Sequence, residues 1–406
     1  MTYEVYGNVL TARDTDIAEI TFANLIKELK MPVIRPRHRI SVLNIDESID
    51  YVIPEKDISE DGGISFTENY QQGQRKNITL KLINIEGKYT PSINRIWVDK
   101  RFRYDIGIEL RTGEVVWFPK GIFVMGNVTV SSGNSNKEVS IQLKDKFSIF
   151  ESNSGTLETA YEITPGAAIE DVINGILNFD TGNGYILDYK PIMIDSSFKG
   201  FKTQATIRKE EGENLGSILL ELATQMSAEC YYNNVGNLCF YPINETTNDE
   251  YKPIIWTFDK MGRELHNLSL DYKTDEIVNM VKVVGSNVDN GIYSAIVYNE
   301  NPASPICVQR IGRRMGQKYT ETNVWNDSIA KELANYYLRK SSFLSVQFSM
   351  PVSFNPILNV NNICEVENDF LGLKRDKLLI TSISFSSGDS EMEVTCSNTQ
   401  DLPFML

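Results

Sequence analysis

The chain has 406 residues, with 54 acidic against 40 basic side chains and a formal net charge of −14. That length allows about two to four domains, and a 41% share of hydrophobic residues supplies several cores. The acidic balance argues against wrapping or reading nucleic acid, which needs a basic footprint, and the absence of any long apolar run argues against membrane insertion.

The polar, acidic stretch Met1–Leu10 carries no basic-then-apolar signal, so the chain is expected to fold in a cytoplasm. Period-2 alternation then dominates the first 150 residues: Ile78, Leu80 and Leu82; Ile106, Ile108 and Leu110; Ile122, Val124, Val128 and Val130; Val139, Ile141 and Leu143. Each set reads as a half-buried antiparallel strand. Glu86–Lys88, Arg111–Gly113 and Ser131–Asn136 punctuate them, and the last predicts a hairpin. Thr164-Pro165 predicts the opening of a helix striped by Ile169, Val172, Ile173, Ile176 and Leu177. A second helix carries Leu215, Ile218, Leu219, Leu222, Ala223 and Met226, followed by a hairpin through Tyr231-Tyr232 and Leu238–Tyr241. Strands return at Val278–Gly285, a helix is predicted over Asp327–Ser341, and strict alternation marks Val346–Phe354 and Met392–Cys396. Pro351 predicts an edge strand or a bulge. The pattern gives an α+β, β-rich fold. Its parts are a β-rich barrel-like domain over 1–152, a small α/β domain over 153–264 and a second barrel-like domain with one long helix over 265–406.

A search for chemistry returns little. The two histidines, His38 and His266, have no metal-binding or triad company in sequence. The five cysteines are odd in number and not closely paired, which argues against a disulfide framework or a zinc site. Phosphate-binding glycine loops and nucleophile elbows are missing, so no cofactor is expected. The acidic run Glu210, Glu211, Glu213 precedes a helix, where it complements the N-terminal dipole. One calcium-loop match occurs: Asp57, Ser59, Asp61, Gly62, Ser65 and Glu68 stand at positions 1, 3, 5, 6, 9 and 12. Strand-like flanks, in place of paired helices, weaken it, and a polar hairpin loop explains the same Asp-Gly-Gly.

Four segments carry a resemblance. They are the helix and hairpin Leu215–Tyr241; Asp275–Asn287, "DEIVNMVKVVGSN"; the helix from Asp327 with its following strand and the Pro356-Ile357-Leu358 turn; and the closing strands Leu378–Phe385 and Met392–Ser397. In order and spacing this is similar to the baseplate hub, or late-control, family of phage tails and contractile injection devices. Residues 1–150, with "TENYQQGQRKNITLKLIN" and "FPKGIFVMGNV", resemble N-terminal domains of such proteins in phages of Gram-positive hosts. Some relatives carry a peptidase or glycan hydrolase in a long C-terminal extension. This sequence shows none, so lytic activity is not carried over.

The resemblance implies a homotrimeric ring at the tip of a virion tail. It would join rings of tail-tube or distal-tail protein to a central spike or tail lysin, beside the tape-measure protein, with DNA passing through unbound. A negative wall would keep a passing phosphate backbone from sticking. Tyr70, Trp97, Phe102, Tyr104, Trp117 and Phe118 are candidate interface aromatics, with intradomain core as the alternative. Two rivals stand beside the structural hub. A cell-wall hydrolase needs two carboxylates on one cleft, and a receptor- or glycan-binding tail protein needs exposed aromatic platforms.

Overall fold

The structure, a computed structural model, describes residues 2–4, 19–31, 34, 36–60, 62–93, 96–133, 137–179, 184–203, 206–226, 228–242, 254–259, 262, 265–285, 293–316, 318–321, 326–341 and 346–398. It is α+β and β-rich. The chain divides into two compact units, one of residues 1–267, 350–376 and 380–394, the other of residues 268–349, 377–379 and 395–406. The first unit therefore holds the segments expected as N-terminal and central domains, together with returning C-terminal strands.

In the first unit an antiparallel sheet runs in the order Ile49–Ile53, Pro36–Leu43, Arg101–Glu109, Val115–Ser132, Lys137–Asp145, Lys76–Ile83, Ile64–Asn69 and Leu373–Ser386. The pairings described form an open path and do not by themselves close a barrel. Alternation behaves as the sequence predicts: Ile78, Leu80, Leu82, Ile106, Ile108, Val139, Ile141 and Leu143 are all buried. One stripe departs from it. The register slips between Met125 and Val128, so the single parity read through Ile122–Val130 does not hold, and Val130 is exposed. Such a bulge adds a residue and turns the strand's later side chains to the other face. Where the strand Leu373–Ser386 joins, Phe66 faces Phe385 with ring centroids 4.9 Å apart.

The α/β part of this unit packs helices Ile169–Leu177 and Leu215–Met226 against the hairpin Ala228–Tyr232 and Leu238–Pro242. Its core joins Ile173, Ile176, Ile218, Leu222, Tyr232 and Phe240, all buried; each large apolar side chain contributes roughly 1.5–3 kcal/mol by leaving water. The predicted helix start at Thr164-Pro165 is corrected. Gly166 takes φ +91°, Ala168 is extended and pairs with Lys202, and the helix begins at Ile169. A left-handed residue cannot continue a first helical turn. The second helix and its hairpin fall where the sequence places them, with Gly236 at φ +84° in the turn.

In the second unit Met280–Gly285 pairs antiparallel with Ser294–Tyr298 and parallel with Tyr319–Glu321. The helix Asp327–Ser341 covers them, burying Ala330, Ala334 and Leu338 on Val281, Val283 and Val297. Tyr337 stacks on Tyr319 at 3.9 Å. Among the described residues no helix is long and apolar enough to cross a membrane.

Candidate functional site

Of the calcium-loop residues that the structure describes, Asp57 lies in a short turn while Ser65 and Glu68 lie in the strand Ile64–Asn69. Asp57 closes a short turn, and its Oδ2 accepts hydrogen bonds from Lys88 Nζ at 2.5 Å and the Tyr89 hydroxyl at 2.6 Å. Those donors hold its carboxyl below the usual range. The Ser59 amide donates to the Lys81 carbonyl, and Ser65 sits inside a strand opposite Thr79. Glu68 lies on the same strand, buried 3.7 Å from the Lys76 ammonium. Asp61 lies outside the described residues. Among the described residues no three acidic, histidine or cysteine side chains are placed to hold a metal ion.

The aromatic candidates divide. Phe102, Tyr104 and Phe118 are buried within the sheet's own core. Trp117 lies across Gly107 of the neighbouring strand and beneath the Arg39 guanidinium, 4.3 Å from its ring. Trp97 is exposed. Tyr70 is the informative one, because its hydroxyl donates to Glu229 Oε1 at 3.0 Å, across the joint between the sheet and the α/β part.

That joint is built from buried charge. Glu229, on the first strand of the α/β hairpin, accepts from Arg75 at 3.1 Å and from Asn361 Nδ2 at 2.8 Å on both oxygens. Arg75 donates again to the Gln71 carbonyl and stacks 3.9 Å from the Tyr231 ring. Beside it, Asp145 accepts the backbone N–H groups of Arg75, Lys76 and Phe147, while burial pushes its carboxyl up to about 6. In a second cluster Lys146 bridges Glu47 and Asp188, and Asp188 also accepts from the Tyr232 hydroxyl at 2.5 Å. In a third, Lys120 donates to the Pro356 and Leu358 carbonyls and to Asn359, with burial pulling its ammonium down to about 8. Buried ion pairs thus tie the sheet to the α/β part, hydrogen bonds to buried charges tie both to residues 356–361, and such contacts are costly to break from one side. The sequence offers no signal for this, since Arg75 and Glu229 stand 154 residues apart.

The histidines gain partners that the sequence does not announce. His38 Nδ1 lies 2.9 Å from the Tyr104 hydroxyl, its Nε2 faces no partner, and burial draws its pKa down to about 4. It lines a cavity of about 380 Å³ with Glu55, Ser59, Glu60, Ser387 and Asp389. His266 Nδ1 meets Glu391 at 2.7 Å and its Nε2 meets the Ser353 hydroxyl at 3.0 Å. A Glu–His–Ser relay has this connectivity, but Ser353 is only 1% exposed. A nucleophile must reach substrate, so the arrangement works as a clamp on the strand end.

With the geometry in view, the solved structures decide the fold. A 43 kDa tail protein of a prophage from Shewanella oneidensis superposes with a TM-score of 0.58 at 14% identity, over 90% of this chain and 100% of its own. A tail protein from Neisseria meningitidis gives 0.58 at 10% identity, over 90% and 99%. A prophage tail protein from Listeria monocytogenes gives 0.52 at 13%, over 89% and 94%. The chain has the fold of phage tail proteins. No family model matches the sequence, and no curated protein matches it.

Proposed function

We propose that the chain is a structural hub of a phage tail tip. Three copies would close a ring that joins the tail tube to a spike or tail lysin and lets DNA through at ejection. The observation that carries this reading is the likeness to tail proteins over nine-tenths of the chain and nearly all of theirs. The buried joints support it: a part that transmits the load of ejection needs sheet and insert held in one arrangement, and ion pairs of this depth resist rearrangement. The charge of −14 suits a wall past which phosphate must slide without adhering. Closed symmetry is the ordinary way for such a chain to complete its edges.

The test is the native mass by light scattering, with negative-stain images of the same sample. A trimer with a central hole is expected. A monomer that stays monomeric when mixed with its tail-tube and spike proteins overturns the hub. A hydrolase reading draws on one observation, the Glu391–His266–Ser353 relay, and the burial of Ser353 stands against it.

A further inference from the structure

The joint between the sheet and the α/β hairpin holds a further set of buried groups beside the Arg75–Glu229 pair. Lys76 and Glu68 stand directly opposite each other on the paired strands Lys76–Ile83 and Ile64–Asn69, and both are buried. The turn of the α/β hairpin brings in Asn234, whose Oδ1 accepts from Lys76 Nζ. Asn234 Nδ2 donates to Asn359 Oδ1 at 3.0 Å, which fixes the amide with its carbonyl towards Lys76. An amine, a carboxamide and a carboxyl group thus meet at one point.

Two of these groups are poorly served as an ordinary ion pair. Glu68 Oε2 is buried and faces no partner, while Oε1 stands 3.7 Å from Lys76 Nζ, beyond hydrogen-bond reach. Lys76 Nζ has three hydrogens to place as an ammonium, and among the described residues it donates only to Asn234. Burial lowers the pKa of that ammonium, with Glu68 and Asp145 only partly offsetting the effect. The neighbouring Lys120 shows the contrast. It donates to the Pro356 and Leu358 carbonyls and to Asn359 Oδ1, so all its hydrogens are engaged. Lys76 is therefore the amine placed to give up a proton, Glu68 is the group placed to take it, and the Asn234 carbonyl lies against the nitrogen that would be freed.

We propose that Lys76 and Asn234 join in an intramolecular isopeptide bond, with Glu68 carrying the proton. Lys76 passes a proton to Glu68, and the freed Nζ lone pair attacks Asn234 Cγ. The adduct then collapses: the Nζ–Cγ bond is kept, the Cγ–Nδ2 bond breaks, and Nδ2 leaves as ammonia. Of the two hydrogens on the attacking amine, one stays on the new amide and the other departs with the ammonia by way of Glu68. Nothing is oxidised or reduced, and no outside reagent is consumed. The link spans 158 residues and fastens a strand of the sheet to the hairpin covalently, where the ion pairs already hold it. This chemistry depends on the cluster alone and not on the proposed role of the chain in a tail.

The test is the intact mass of the full-length chain, unfolded in acid after incubation of the folded protein at neutral pH. A loss of one ammonia, about 17 Da, is expected, and proteolytic mapping should find the peptide holding Lys76 joined to the one holding Asn234. A succinimide formed at an asparagine loses the same mass but is opened by hydroxylamine, which the isopeptide resists. Glu68→Gln should slow the loss at least about 100-fold, as expected when a general acid–base is removed, and Lys76→Met should abolish it. The unsubstituted chain decides by itself, so a variant that fails to fold does not spare the idea. Full sequence mass in that chain, a link placed elsewhere (Lys120 to Asn359 included), a loss reversed by hydroxylamine, or one that forms as fast in Glu68→Gln overturns the proposal.

Discussion

Replacing Glu229 by alanine should be among the most damaging single changes in the first unit. Its carboxylate is buried and serves Arg75, Asn361 and the Tyr70 hydroxyl at once. Removing it leaves a guanidinium that is 3% exposed facing no anion. Breaking a buried pair from one side costs about 3–5 kcal/mol, because the remaining charge stays desolvated. Glu229→Gln keeps acceptor and shape but removes the charge, and should cost about half as much. Removing both charges, with Glu229→Ala and Arg75→Met together, should recover at least about 1.5 kcal/mol relative to the sum of the single changes. Urea unfolding followed by circular dichroism measures all four corners of this cycle. A loss under about 1 kcal/mol for Glu229→Ala, or strictly additive single changes, refutes the view of this joint as a mutually dependent buried pair.

Three further outcomes follow from the geometry. Burial holds His38 near 4 against an unfolded value of 6.5, so the unfolded chain takes up its proton first as the pH falls; stability from this site should be full above about 6.5 and fall by roughly 3 kcal/mol towards pH 4, and NMR titration of the ring near 6.5 would contradict it. A fluorophosphonate probe should leave Ser353 unlabelled in the folded chain, because that hydroxyl is enclosed; labelling abolished by His266→Ala would revive the hydrolase reading. Gly107→Ala would place a methyl 2.7 Å from Val115 Cγ1 and 3.0 Å from the Trp117 ring, and should destabilise by about 1–3 kcal/mol in thermal or urea unfolding, whereas an unchanged midpoint would show that the ring moves aside freely.

What the sequence discloses about this molecule is its pattern of burial. Ile78, Leu80 and Leu82 announce a strand because a pleat sends alternate side chains to one face, and Leu215–Met226 announces a helix through the spacing of its apolar stripe. The pattern fails where a single residue changes the local geometry, as at Gly166 before the helix Ile169–Leu177 and at the bulge after Met125. The polar joints are hidden for another reason. Arg75, Glu229 and Asn361 each look like ordinary surface residues in their own segment, and their pairing exists only after distant strands have met. The candidate calcium ligands show the converse: a local pattern matched a loop motif, yet Asp57 pairs with Lys88 and one oxygen of the buried Glu68 stands 3.7 Å from the Lys76 ammonium.

This division also explains how the chain can share its fold with tail proteins while sharing so few identical residues. Alternation along strands and an apolar stripe along helices ask only that a position be greasy or polar, and very many sequences satisfy that demand. The chain's demanding chemistry sits in the joints, where a charge must find its opposite across the fold, and there only the pairing is constrained, so a different pair or an apolar contact could occupy the same place. A chain of the proposed structural role can therefore drift far in sequence while the backbone keeps its course.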